Sequence, residues 1–252
     1  MNTLNICIPM AGAGSRFSKA GYIDPKPLIK VHDTPMIEAV VRNLRPKQPH
    51  RFIFIVQAAH AQAYGLRDFL PSISNGGQVI EINGLTEGAA CTVLQARDQI
   101  NCDDPLMIAN SDQFIDCDIN TYLSRMDSDH LDGLIMTMTA DDPKWSFVAL
   151  DDQHLVTRVV EKEVISNEAT VGIYNFRHGV DFVRAADEMI ARNERVNNEF
   201  YVAPTYNELI RQGHRVGIHN IGAEAKGMYG LGIPTDLELF LSHPLSQTFK
   251  AA

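Results

Sequence analysis

NICIPMAGAGSRFSKAGYIDPKPLIKVHDTPMI, residues 5–37, is the stretch on which the reading of this chain turns. It begins as a short apolar run, residues 4–8, of the kind that forms a buried strand. Pro9 ends that run, and Ala11, Gly12, Ala13, Gly14 and Ser15 follow as a loop of small residues. Arg16 comes next, and Lys26 is set between Pro25 and Pro27. A strand, a glycine loop and two cations in close succession are the parts of a polyphosphate site. Glycine lets backbone N–H groups approach phosphate oxygens, and a nest of such groups binds anions. Arg and Lys supply charge where negative charge gathers during phosphoryl transfer. The plainer alternative is a tight turn between a strand and a helix.

Two familiar phosphate motifs are excluded. The dinucleotide fingerprint G-x-G-x-x-G fails because Phe17 stands at the third glycine. The P-loop fails because no Gly-Lys-Ser or Gly-Lys-Thr occurs anywhere in the chain.

What remains is more specific than either. Pro9-Met10-Ala11-Gly12, Gly14-Ser15-Arg16-Phe17, then Pro25-Lys26-Pro27-Leu28-Ile29 and Pro35-Met36-Ile37, resemble the signature of the nucleotidyltransferases that make activated sugars, the NDP-sugar pyrophosphorylases. The resemblance is closest to short members from capsule and surface-polysaccharide synthesis. It is strongest over the first forty residues or so and continues in weaker blocks nearly to the C-terminus.

Composition is that of an ordinary globular protein. The chain has 252 residues, 45% hydrophobic and 21% charged, enough for a sizeable core and one large domain. One nucleotidyltransferase domain is expected over 1–252, with a nucleotide-binding half at 1–115 and an acceptor-binding half at 116–252. The net charge of -9 and the lack of a basic run argue against nucleic acid as a partner. Four cysteines form no C-x-x-C, and no histidine spacing suggests zinc. Cys7 and Cys91 read as small core residues. With no leader and no long apolar span, a cytoplasmic location and no membrane contact are expected.

Residues 28–31 read as an extended piece and 32–34 as a turn. Thr34-Pro35 then reads as N-cap and first residue of a helix burying Met36, Ile37, Val40, Val41 and Leu44. Residues 52–56 form a continuous apolar run, as in a central parallel strand covered on both faces. Residues 58–70 read as one helix stopped by Pro71, and 78–82 as the next strand. This β-loop-α-β-α-β order places ligands at the carboxyl ends of parallel strands. Residues 83–90 form a second loop, leading into a helix over 89–99.

A strand at 105–109 then delivers Asp112, and Asp118 reads as the N-cap of a helix over 119–126. The second half supplies strands at 134–139, 145–150, 156–161 and 169–176, which look like antiparallel additions. Helices over 180–193 and 204–211 and a strand over 216–219 complete the pattern. The expected fold is α/β: a Rossmann-like, GT-A-type three-layer sandwich with a mixed, mainly parallel central sheet.

The resemblance implies roles for particular residues. Arg16 and Lys26 would be catalytic. Met10, Ala11, Gly12, Gly14 and Ser15 would hold the nucleotide with Asn83 and Gly88, Gly88 lying under the base. Asn83 stands where relatives often carry a longer Gln, so the base stays open among CTP, UTP and dTTP. Asp112 would hold Mg²⁺, with Ser111 in place of the usual glycine; its plainer reading is a turn cap. Relatives often carry a second metal-binding Asp where this chain has Gly230. Asp236 is the nearby candidate, though Thr235-Asp236 also suits an ordinary helix start. Glu161, Lys162 and Gly172 would line the pocket for the phosphorylated acceptor; alone, Glu161-Lys162 reads as a solvated pair. The Glu199-Phe200-Tyr201 block would border that pocket.

The implied reaction moves a nucleotidyl group from an NTP to a sugar 1-phosphate and releases pyrophosphate. An alternative is a CTP-dependent enzyme acting on a non-sugar phosphate, phosphocholine-like or another alcohol or amide phosphate. A reading of another class, an NAD(P)- or nucleotide-binding module without transfer, is opposed by the missing third glycine. Relatives are often dimers or tetramers, which leaves a homo-oligomer open.

Overall fold

Strand β1, Leu4–Pro9, is almost entirely buried, and its side chains feed two different cores. Leu4, Ile6 and Ile8 enter one core, while Cys7 enters the other. Successive side chains of a strand point to opposite faces, so a run apolar at every position needs cover on both sides. Burial pushes the Cys7 thiol's pKa well up, which keeps it protonated and unreactive. The computed structural model describes residues 2–250. In it β1 is followed by a short helix α1, Ser15–Lys19, and two-residue strands β2, Lys30–Val31, and β3, Thr34–Pro35. Helix α2, Met36–Leu44, leads to strand β4, His50–Gln57, whose Phe52, Phe54 and Val56 join the first core and Ile53 and Ile55 the second.

Helices α3, Ala58–Ala63, and α4, Leu66–Ser74, precede strand β5, Gln78–Ile82. Helices α5, Ala89–Val93, and α6, Arg97–Ile100, then lead to strand β6, Leu106–Ala109, and the short β7, Gln113–Ile115. Helix α7, Ile119–Ser128, is followed by strands β8, Gly133–Thr139, β9, Ser146–Leu150, β10, Val156–Glu161, and β11, Glu168–Phe176. Helices α8, Gly179–Ala191, and α9, Tyr206–Arg211, strands β12, Val216–Glu224, and β13, Gly227–Gly230, and helix α10, Pro234–Ser242, complete the order.

An eleven-stranded sheet takes strands from both halves of the chain, in the path β5-β4-β1-β6-β11-β8-β12-β13-β7, with β9 and β10 attached beside β11. β1 pairs in parallel with β4 and β6, and β4 with β5. β11 enters antiparallel between β6 and β8. The mixed, mostly parallel sheet with helices packed against it is the expected Rossmann-like α/β fold.

From β1 the chain goes to β4 and β5 on one side, and reaches β6 on the other. That reversal opens a crevice at the carboxyl ends of β1 and β6, where ligands of open α/β sheets bind. The glycine loop leaves β1 there, and Asp112 follows β6. A third apolar cluster, with Phe17, Ile29, Val31, Met36, Tyr229, Leu237, Phe240 and Phe249, packs the segment around Lys26 onto the C-terminal helix.

Several local expectations differ from the structure. The Thr34 cap is not formed: Pro35 is the N-cap of α2, with no side-chain bond, and the Thr34 hydroxyl donates to the Phe249 carbonyl at 3.0 Å. The single helix at 58–70 is two helices. They break at Gly65, whose φ of 62° lies in the left-handed region that glycine enters cheaply. Pro71 sits inside α4 instead of stopping it, because Leu66, Leu70 and Ser74 bury one face on both sides of it. The helix over 89–99 tightens into a 3-10 turn at Leu94–Ala96, and the one over 204–211 starts with a 3-10 turn at Ala203–Thr205. Cys91 is half-buried at the edge of the second core. The Asp118 cap forms as expected, its carboxylate accepting from Asn120 N at 2.9 Å.

Candidate active site

Cavities flank the glycine loop on both sides. One of about 180 Å³ is lined by Met10, Gly12, Gly14, Lys26, His60 and Tyr64 among others. Another, of about 270 Å³, lies between Ala11, Gly12 and the second loop at Thr86, Gly88 and Ala89, with Thr92 and Glu199. Gln57, at the end of β4, ties the two loops together. Its Nε2 donates to the Ala11 carbonyl at 2.7 Å and the Gly84 carbonyl at 2.8 Å. Gly12 and Gly14 differ in cause. Gly14 has φ 60° and caps α1, so backbone conformation demands glycine there. At Gly12 nothing lies within 4 Å of where a Cβ would stand, so folding leaves that space free.

Gly88 has a third reason to be glycine. A Cβ there would come within 2.5 Å of the Phe200 backbone N and O. The two segments meet edge to edge: Phe200 N donates to Glu87 O at 2.8 Å and Ala90 N to Phe200 O at 3.0 Å. Arg195 pins this contact, pairing with Glu87 at 2.6 Å and stacking 4.2 Å over the Phe200 ring. Asn83 is exposed and lies outside the lining of the cavity beside Gly88; Ser15 is exposed as well.

Beyond β1 the crevice continues into two further cavities of about 370 Å³ each, which share Arg16, Asn110, Lys144 and Trp145. The first holds Glu161, Lys162 and Gly172 with Ser146, Thr170, Tyr174 and Tyr201. Glu161 ends β10 directly opposite Ser146 on β9. Lys162 adopts φ 57°, a left-handed conformation costly for a residue with a Cβ, and donates from Nζ to the Tyr201 hydroxyl at 2.7 Å. Gly172, at φ 81°, interrupts the β11–β8 ladder, and a Cβ on it would collide with the Asn110 amide. Glu161-Lys162 is therefore no freely solvated pair: Glu161 is 8% exposed.

The second of these cavities holds Asp112, Gln113, Gly230, Gly232 and Asp236. Lys26 Nζ reaches Asp112 Oδ2 at 2.7 Å, so the cation after the glycine loop and the carboxylate after β6 meet across the crevice. Leu231 N donates to the Asp112 carbonyl at 2.8 Å, and a Cβ on Gly232 would strike its carboxylate. Asp236 reaches over from α10: its Oδ2 lies 3.1 Å from where a Cβ on Gly230 would stand. A side chain from the helix thus fills the place where the strand has only glycine. Gln113, 6% exposed, carries an amide nitrogen with no hydrogen-bond partner. Among the described residues no three His, Cys, Asp or Glu side chains converge to hold a metal by themselves.

Charge is arranged around these cavities. The Arg16 guanidinium lines both large cavities and makes no hydrogen bond or ion pair among the described residues. Burial, with Glu224 nearby, raises the Asp236 carboxyl's pKa, and Lys144 opposes that rise. Burial also raises that of Glu161, against a hydrogen bond from Ser146 and the charge of Lys162. The Tyr201 hydroxyl raises that of Lys162, which stays protonated.

Arg16, Lys26, Asp112, Asp236, Glu161, Lys162 and Gly172 are thus brought to one connected crevice from six places in the sequence. Sequence reading missed Asn110, Gln113, Lys144, Trp145, Ser146 and Thr170. Only Lys144-Trp145 carried any signal, as the chain's one Trp beside a Lys; the others fit ordinary strand or turn patterns. Glu199 and Tyr201 were placed near the pocket as a block, and each lines a different cavity.

Comparison with known proteins places the chain in a family. Residues 7–215 match the nucleotidyl transferase family. The chain belongs to that family and is a nucleotidyltransferase. Among similar solved structures is a nucleoside-diphosphate-sugar pyrophosphorylase from Vibrio cholerae RC9, 28% identical, with a TM-score of 0.79, covering 94% of this chain and 100% of that one. A UDP-glucose pyrophosphorylase complexed with UDP-glucose is 14% identical, with a TM-score of 0.76, covering 98% of this chain and 99% of the other. A UDP-glucose pyrophosphorylase from Acinetobacter baumanii is 19% identical, with a TM-score of 0.72, over 99% and 97% of the two chains. These last two share the fold. No curated protein matches the chain significantly. No helix among the described residues is long and apolar enough to cross a membrane.

Proposed function

We propose that the chain transfers NMP from an NTP to a sugar 1-phosphate, with release of pyrophosphate, in surface or capsular polysaccharide synthesis. The observation that carries this reading is a pair of cationic positions around one carboxylate. Lys26 touches Asp112 beside the glycine loop, while Arg16 and Lys162 stand in the neighbouring cavity. Two phosphorylated molecules need two such positions, with a shared region where they react.

The NTP base enters the cavity between the glycine loop and Gly88, and its phosphates follow Met10, Ala11, Gly12, Gly14 and Ser15. Arg16 neutralises the departing β- and γ-phosphates. Lys26 bridges the α-phosphate and the incoming phosphate. The acceptor lies with its phosphate toward Lys162 and its body against Glu161 and Gly172. Its phosphate oxygen attacks the α-phosphorus in line, the bond from the α-phosphorus to the bridging oxygen breaks, and pyrophosphate leaves with that electron pair. The protein supplies positioning and charge and no nucleophile.

Asp112 and Asp236 present carboxylate oxygens in one cavity, the donor set Mg²⁺ prefers. Two protein ligands suffice, since Mg²⁺ keeps several waters and takes phosphate oxygens as the rest. When bound there it would neutralise charge between the phosphates.

A phosphocholine-like acceptor would want free aromatic faces around its quaternary ammonium. Here Lys144 lies 4.9 Å over Trp145 and Lys162 lies 4.8 Å over Tyr201, which favours an anionic, hydroxylated acceptor. Pyrophosphate release from the four common NTPs, with a set of sugar 1-phosphates or with phosphocholine, tests the proposal. Release is expected only with a sugar 1-phosphate, an NTP and a divalent cation together. Release with phosphocholine alone as acceptor would replace it by the alternative.

The open space at Gly12 gives a further expectation. Gly12→Ala should leave the melting temperature essentially unchanged while raising KM for the NTP roughly ten- to a hundredfold, the effect of a methyl group in a fitted site. Thermal unfolding beside steady-state kinetics checks it; an unchanged KM would remove the loop from the nucleotide site.

A further inference from the structure

Beside Glu161 stand hydroxyl groups that the reaction as described does not use. Ser146, Glu161, Thr170 and Tyr174 are all less than 10% exposed and line the same cavity. Ser146 Oγ donates to Glu161 Oε2, across the pair that sets Ser146 of β9 opposite Glu161 of β10. On β11 the Tyr174 hydroxyl is 2.9 Å from that of Thr170.

An ionised carboxylate only accepts, so the Ser146 proton goes to Glu161 and does not remain to donate to a ligand. Glu161 Oε1 accepts no side-chain hydrogen bond among the described residues and is left to accept from a ligand. A buried polar pair of this kind is rigid when its members are satisfied.

Resting on the proposed transfer reaction, we propose that Ser146 is a positioning residue for acceptor recognition. Ser146 holds Glu161 so that its free oxygen accepts from a hydroxyl of the acceptor. The device selects polyhydroxylated phosphates over plain alkyl phosphates of equal charge. A serine in β9 can do this because the β9–β10 register faces it to the last residue of β10; a one-residue slip would turn it to the other face of the sheet.

The test uses glucose, galactose and mannose 1-phosphates as probes, with propyl phosphate as the partner without hydroxyls, and calorimetric titration of the whole chain. The unaltered chain should bind at least one sugar phosphate more tightly than propyl phosphate. Ser146→Ala should weaken that binding about tenfold and leave propyl phosphate binding unchanged. A carboxyl ¹³C titration of Glu161, assigned with Glu161→Gln, adds a readout that packing alone would not move. Losing the Ser146 donor removes a bond to the charged form, so the midpoint should rise in Ser146→Ala. An unaltered chain with no preference for any sugar phosphate overturns the proposal. So does a Ser146→Ala chain with both affinities reduced alike, or with neither the affinity nor the midpoint changed. Failure of the transfer reaction itself would show separately, as no pyrophosphate release by the unaltered chain.

Discussion

Lys26→Ala should lower kcat by about a hundred- to a thousandfold, the range measured when one preorganised charge-stabilising donor is removed from an active site. At about 1.4 kcal/mol per decade this is roughly 3–4 kcal/mol of lost transition-state stabilisation. The protein should fold as before. The Lys26–Asp112 pair leaves 26% and 22% of the two side chains exposed, so its share in stability is about that of a surface ion pair, at most about 1 kcal/mol. The backbone that carries Lys26 does not depend on the ammonium. Pro25 and Pro27 fix its conformation, and Leu28 N bonds to the Pro25 carbonyl at 2.8 Å. Lys26→Arg should not rescue, because a planar fork cannot stand in for a compact ammonium inserted between two phosphates. Single-turnover kinetics with saturating NTP separates this from weaker binding. A Lys26→Ala chain with near-normal kcat would remove Lys26 from the reaction.

Asp112→Asn should cost a similar factor, for a different reason. The substitution keeps the shape, so the Leu231 bond to the Asp112 carbonyl and the close fit against Gly232 both survive. What changes is charge: Lys26 loses its ion-pair partner, and a divalent cation held as proposed would lose one of two carboxylates. Activity should fall about a hundred- to a thousandfold, and the Mg²⁺ concentration for half-maximal rate should rise. Asp236→Asn should act less severely, because burial and Glu224 already disfavour its charge. If the two carboxylates share one cation, the double variant should lose less than the product of the single losses. Equilibrium dialysis with Mn²⁺ reads the same effect without turnover. Unchanged cation affinity in both single variants would show that this cavity does not hold the metal.

The fold was legible because its central strands are apolar at every position. Residues 52–56 demand cover on both faces, and Phe52, Phe54 and Val56 enter one core while Ile53 and Ile55 enter the other. Helix limits were less legible, since they depend on tertiary contacts. Pro71 is carried inside α4 by packing on both sides of it, and the Thr34 hydroxyl prefers the distant Phe249 carbonyl to a local cap.

The candidate site divides along the same line. The glycine loop, Arg16 and Lys26 stand close together in sequence, so their chemistry showed at once. Asp112 was visible as a carboxylate at the end of a buried strand. Ser146 and Thr170 were invisible, because strand pairing is what brings them to the cavity that holds Glu161. The Gly230 position read as a missing ligand. Only the packing of α10 shows the Asp236 carboxylate standing at that place.

Direct attack of the acceptor on the α-phosphorus is tested by ³¹P NMR with a sugar 1-phosphate carrying ¹⁸O in its phosphate. The reaction uses Mg²⁺ and the NTP that supports pyrophosphate release. The expected spectrum shows a diphosphate product with ¹⁸O in the bridge between its phosphorus atoms, together with an equal amount of pyrophosphate. Orthophosphate in place of pyrophosphate, or a bridge without label, would contradict the proposed transfer.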